Sequence, residues 1–219
     1  MSLTYHFHPL ASFCHKPLIA LYENDTPFET VLVDLGDESS SADFKELWPV
    51  GKMPVLRDAA RDRIVPESTI IIEYLDKYYP GKIRFIPADP EEAWRTRLSD
   101  RFYDLYVQEP MQKIVVDRIR PAGQHDGFGV EQARETLRTA YGMIERDMAT
   151  RTWAMGDAFT MADCAAAPAL FYAEKVEPFA ATHKHMAAYF DRLLNRPSFA
   201  RVLKEAEPYF KFFPTRNLN

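Results

Sequence analysis

Two hydrophobic rhythms divide the chain. Up to about residue 80, short runs of β-forming residues alternate with amphipathic stretches; from Glu91 onwards the apolar positions recur at helical spacing. Leu3 to His8 alternates, with Tyr5 and Phe7 on one face, and predicts a strand that Pro9 stops. Phe13 to Asn24 carries Leu18, Ile19, Leu21 and Tyr22 at helical spacing and predicts the first helix. Pro17 falls in its first turn or so, where a missing amide costs least. Thr30 to Val33 reads as a second strand, Gly36 to Asp43 as a polar loop and Phe44 to Leu47 as a short helix. Val55-Leu56 and Ile64-Val65 are two further strands around a charged tip at Ala59 to Arg63. A helix follows from Ser68 to about Tyr79.

Pro80-Gly81 and Pro87-Ala88-Asp89-Pro90 punctuate the chain between the two rhythms. Beyond them, Glu91 to Gln112 predicts one long helix bearing Trp94, Phe102, Tyr103 and Tyr106. After Pro121-Ala122-Gly123 and a glycine-rich loop to Gly129, a second helix is expected from Val130 to Ala149. Thr160-Met161-Ala162-Asp163 is a capping pattern ahead of the apolar run Cys164 to Phe171. Two more helices fit His183 to Asn195 and Pro197 to Glu205. The aromatic tail Tyr209 to Phe213 is expected to fold back onto the body. The expected architecture is α/β plus all-α, with one domain over residues 1–80 and a helical one over 91–219.

Composition narrows the function. A chain of 219 residues with 47% hydrophobic and 27% charged residues can bury two small cores or one large one. Its net charge of −5, with no basic stripe, argues against nucleic-acid binding. Two cysteines, Cys14 and Cys164, are too few and too far apart for a disulfide framework or a metal site. No window is apolar enough to span a membrane, and Met1 to His6 has no basic stretch leading into a long apolar run, so a reducing cytoplasm is the expected location.

The stretch Trp48 to Leu56 stands out, together with Pro66-Glu67-Ser68-Thr69-Ile70 downstream. Gly51 can adopt backbone angles closed to other residues, and Pro54 removes a donor where a short apolar strand begins. Glu67-Ser68 falls at a helix start, where free amides and the helix dipole favour a carboxylate. These paired segments resemble the glutathione-binding half of cytosolic glutathione transferases, with their G-K-x-P-x-L loop and E-S-x-x-I turn. The β-α-β-α-β-β-α order matches that family's thioredoxin-like domain. Gly156-Asp157-Ala158-Phe159-Thr160-Met161-Ala162-Asp163 likewise resembles the family's G-x-x-x-T-x-A-D motif, which is structural. The resemblance implies a cis bond before Pro54 and glutathione held by the Met53 or Val55 backbone. It also implies the γ-glutamyl carboxylate on Ser68, its ammonium on Glu67, and the glycine carboxylate near Lys52. A two-fold homodimer is implied as well.

Such enzymes stabilise the thiolate of bound glutathione. A free thiol titrates at about 8.5, so little is ionised at neutral pH. The family places its activating tyrosine, serine or cysteine between the first strand and first helix, here Ala11-Ser12-Phe13-Cys14-His15-Lys16. The serine-type spacing S-x-x-[S/C]-x-[K/R] fits only with its first position at Ala11, which has no hydroxyl. Ser12, one residue on, is then the best hydroxyl in reach; Cys14 is the alternative, as a thiol donor or a mixed-disulfide former. Tyr5 serves only if the strand ends early. His8 and His15 read as surface or rim groups. The second pocket is expected between the domains, beneath Tyr103, Tyr106 and Met111.

The leading reading is a glutathione transferase acting on small hydrophobic electrophiles, without a metal. A glutathione-dependent reductase, peroxidase or dehalogenase using Cys14 stands as an alternative, as does a transferase-like module that binds without turnover.

Overall fold

The sheet is built around β1 (Leu3–Phe7), whose Leu3 and Tyr5 are fully buried. In the computed structural model, which describes residues 2–214, it is four-stranded in the order β2-β1-β3-β4. β2 (Glu29–Leu32) runs parallel to β1, which a tight turn cannot achieve. The crossover is α1 (Ser12–Glu23). β3 (Val55–Asp58) and β4 (Arg63–Pro66) add antiparallel neighbours. α2 (Glu38–Leu47) precedes β3, and α3 (Ser68–Tyr78) follows β4.

The polar loop expected over Gly36–Asp43 is largely the start of α2. The side chain of Asp37 accepts from the Ser40 amide at 2.8 Å, so a capping aspartate starts the helix expected at Phe44–Leu47 six residues earlier, over turns too polar to announce it.

From Pro90 onwards every described element is helical, apart from an isolated bridge pairing Trp153 with Gly156. The single helix expected to end at Gln112 is instead α4 (Pro90–Tyr103), a π turn (Asp104–Gln108) and α5 (Glu109–Arg118). Pro110 has no amide and its ring crowds the carbonyl four residues back, so regular α-helix cannot pass through it undisturbed. α6 (Gly127–Met148) begins within the expected glycine-rich loop, because Asp126 caps the Gly129 amide at 2.9 Å. α7 (Met161–Glu174), α8 (Lys184–Leu194) and α9 (Pro197–Ala206) complete the helical part.

α7 is buried on nearly every side, and α1 packs against both α3 and α7, so one apolar core runs from the sheet into the helical half. The capping box at its start is tight. Asp163 accepts from the Thr160 amide at 2.9 Å, the Ala154 amide at 2.8 Å and the Tyr189 hydroxyl at 2.7 Å. The tail does fold back, with Phe210 on Phe171 at 5.5 Å and Phe213 stacked on Tyr172 at 5.4 Å. Among the described residues no helix is long and apolar enough to cross a membrane.

Candidate functional site

Where the β1–α1 turn, the β2–α2 loop and the segment before Pro54 meet the π turn and α5, they leave a cleft of about 560 Å³. Its first wall is His8, Leu10, Ala11, Ser12 and Phe13; its second is Val33 to Gly36 with Gly51, Lys52 and Met53. The helical half supplies Gln108, Met111, Gln112 and Val115, and Tyr172 with Phe213 closes one end. Both walls are mixed: the sheet domain brings His8, Ser12, Asp34 and Lys52 alongside Leu10, Phe13 and Met53, and the helical half brings Met111, Val115 and Phe213 alongside Gln108 and Gln112.

Ser12 is the first residue of α1, following Ala11 at the N-cap, and is half-buried. Its Oγ accepts a hydrogen bond from Nε2 of Gln108. Two lining residues carry hydroxyls, Ser12 and Tyr172, and Tyr172 spends its hydrogen on the Leu10 carbonyl at 2.9 Å. The Ser12 hydrogen is the one left to act on a ligand.

Cys14 is placed differently from the sulfur-handling alternative. It is 0% exposed and does not line the cleft, and burial pushes its thiol up to about 12. Tyr5 is equally enclosed and donates to the Cys14 carbonyl at 2.7 Å, so its hydroxyl supports the α1 backbone. His15, expected at the surface or rim, is also buried: its Nε2 donates to the Pro9 carbonyl at 2.5 Å, and burial lowers it to about 4, leaving it neutral. His8 does line the cleft. Burial lowers its pKa against the opposing pull of Asp34, and its Nδ1 accepts from the Leu10 amide at 3.2 Å.

The loop before β3 has the geometry its sequence suggests. The Met53–Pro54 peptide is cis, and Gly51 has φ of 67°, the left-handed region that favours glycine. Val55 pairs in register with Pro66, which brings Met53-Pro54 beside Glu67-Ser68 at the start of α3. Lys52 and Met53 line the cleft; Pro54 and Val55 are buried behind them. Glu67 is exposed and holds φ of 69°, a conformation few non-glycine residues adopt, while Ser68 is buried as the first residue of α3. Glu67 and Ser68 are not part of the cleft wall itself.

Of Tyr103, Tyr106 and Met111, Met111 faces the cleft. Tyr103 is buried in the core, and Tyr106 lies with Phe102 and Met143 on a different face. Gln108 escaped the sequence reading: mid-helix glutamines are common, and nothing in the local pattern marked the π turn that aims it.

Fold and cleft together define a thioredoxin-like domain joined to a helical one, with a ligand-sized cleft at the junction. A glutathione S-transferase N-terminal domain model matches residues 6–83, and a glutathione S-transferase C-terminal domain model matches residues 109–197. Glutathione S-transferase 3 of Zea mays is 30% identical over 206 residues, covering 89% of this chain and 90% of the maize protein. A stringent starvation protein A homolog from Coxiella burnetii is 30% identical over 209 residues, covering 94% and 93%. In fold, the chain resembles a Methylobacillus flagellatus glutathione S-transferase solved with glutathione bound, with TM-score 0.83, 24% identity and coverage of 92% and 98%. The chain belongs to the glutathione S-transferase family.

Proposed function

We propose that the cleft binds glutathione and lowers the pKa of its thiol, so that the thiolate attacks small hydrophobic electrophiles seated against the helical wall. The observation that carries this is the Ser12 hydroxyl: at the N-terminus of α1, in the cleft, with its hydrogen uncommitted. A donor hydrogen bond and the positive end of a helix both favour thiolate over thiol, and each pKa unit corresponds to about 1.4 kcal/mol. The tripeptide backbone pairs with Met53 and Val55 around the cis Pro54. Its γ-glutamyl carboxylate takes the free amides of α3 at Ser68, and its ammonium takes Glu67. Lys52, exposed at the cleft edge, suits the glycine carboxylate. Met111, Val115 and Phe213 form the apolar seat for the electrophile.

The buried state of Cys14 disfavours the reductase, peroxidase and dehalogenase alternatives, since a thiol held near 12 supplies almost no thiolate at neutral pH. A second reading keeps its own support. Ala11 stands where the serine-type spacing has its hydroxyl, and several relatives carry the stringent starvation name rather than a transferase name, which fits a module that holds glutathione without turnover. The deciding experiment is a steady-state assay with glutathione against aryl halides, enones, peroxides and disulfides. Conjugation of the first two supports the proposal. Reduction of the last two, or glutathione binding without any turnover, overturns it.

A further inference from the structure

α1 and the π turn are joined by two rungs, one helical turn apart on each. Lys16, 1% exposed, reaches Asp104 at 2.8 Å, Asp100 at 2.7 Å and the Thr69 hydroxyl at 2.8 Å. Thr69 in turn donates to Asp100 at 2.7 Å, and Arg101 joins Asp104 at 3.0 Å. Four residues back along α1 from Lys16 is Ser12; four residues on from Asp104 is Gln108, which meets it. The ion-paired rung thus sets the register that delivers the amide to the hydroxyl. Asp104 and Gln108 are the first and last residues of the π turn, and both reach α1.

Gln108 is only 3% exposed, lines the cleft, and leaves its Oε1 without a partner among the described residues. An amide buried at a cleft wall is costly to desolvate, so its one bond to Ser12 calls for an explanation beyond packing. A serine hydroxyl rotates freely and can donate in several directions. When Nε2–H occupies an Oγ lone pair, the hydroxyl hydrogen cannot turn toward that donor and is left for the cleft. The chain N–H to O–H to sulfur is also cooperative, each bond polarising the next.

We infer that Gln108 is a positioning residue for thiol activation: its amide holds the Ser12 hydroxyl with its hydrogen directed at the glutathione sulfur. The inference rests on the proposed role of Ser12 and adds a second residue, from the other domain, to it. No bond to carbon or sulfur changes at Gln108. The thiol proton leaves to solvent, and the residue alters only how well the resulting thiolate is held.

The test is the pKa of the bound thiol, read from thiolate ultraviolet absorbance across pH with glutathione saturating. It is run on the wild type, Ser12→Ala, Gln108→Met and the double variant, with thermal unfolding of each. Gln108→Met keeps length and burial, and Gln108→Leu serves as a second variant if the first unfolds. The expected result is a rise of roughly half a unit to one unit for Gln108→Met, about three- to tenfold less thiolate on the acid side. Ser12→Ala should give a larger rise, with no further change in the double variant. Such non-additivity marks action through the hydroxyl, which a merely structural role would not produce. If Ser12→Ala shifts the pKa and Gln108→Met does not, or the two effects add, the positioning role is overturned while the Ser12 reading stands. A fall in pKa on removing Gln108 also overturns it, since the amide would then be accepting the hydroxyl's hydrogen. An unchanged pKa in Ser12→Ala removes both.

Discussion

Ser12 and Cys14 lie two positions apart at the start of α1, and two steps along an α-helix turn a side chain through about 200°. That rotation sends Ser12 to the cleft and Cys14 into the core. Ser12→Ala should lower conjugation at pH 6.5 by about ten- to a hundredfold, as one to two pKa units of thiolate stabilisation are lost, with the glutathione dissociation constant nearly unchanged. A comparable loss of affinity would place Ser12 in binding rather than activation. Cys14→Ala should leave the pH–rate profile as it is and cost about 1 kcal/mol of stability, the scale of a small deletion from a packed core. Neither Cys14 nor Cys164, both 0% exposed, should react with a thiol reagent on the native protein within minutes. Fast labelling of Cys14 would return it to the list of sulfur-handling groups.

At the scale of elements, the sequence was most informative where a local rule acts alone. Alternation marked β1, a capping box marked α7, and Gly51 with Pro54 marked the loop before β3. It was silent where the deciding contact is distant in sequence. Lys16 looks like an ordinary charged residue of α1, yet its partners Asp100 and Asp104 lie on another domain. Gln108 closes the π turn and meets Ser12, a residue 96 positions away in sequence, and nothing local in the sequence singles it out. The cluster makes its own prediction. Burial raises the Asp100 carboxyl above its ordinary range, with Lys16 opposing that rise. Lys16→Met removes the opposition, so the folded-state pKa climbs further above the unfolded one. A carboxyl raised in this way contributes stability at low pH that is lost as pH rises above about 4. The variant should therefore be only slightly destabilised at pH 4 and by about 3–5 kcal/mol at pH 7, where uncompensated charge is buried. Urea unfolding at the two pH values checks this; an equal deficit at both would reduce Lys16 to packing.

For the whole molecule, Leu98 at 60% exposure and Tyr106 at 51% share one surface hollow with Phe102 and Met143, separate from the cleft. We propose that this face is where a second copy docks, giving the two-fold dimer that the family resemblance implies. Leu98→Glu with Tyr106→Glu should convert a dimer to a monomer in sedimentation at micromolar concentration, since charge in the centre of an apolar interface is left unpaired. A wild type that sediments as a monomer would refute the assembly. The division of labour between the two halves is the larger claim: the sheet domain holds and ionises the thiol, and the helical half supplies the apolar seat and, through Gln108, orients the activating hydroxyl. Its most direct test is a pH titration of glutathione bound to the wild-type protein, followed by thiolate absorbance and compared with the free tripeptide. A bound thiol titrating one to two units below the free value of about 8.5 is the predicted result. A bound thiol titrating with the free one, on a protein that holds glutathione, would contradict it.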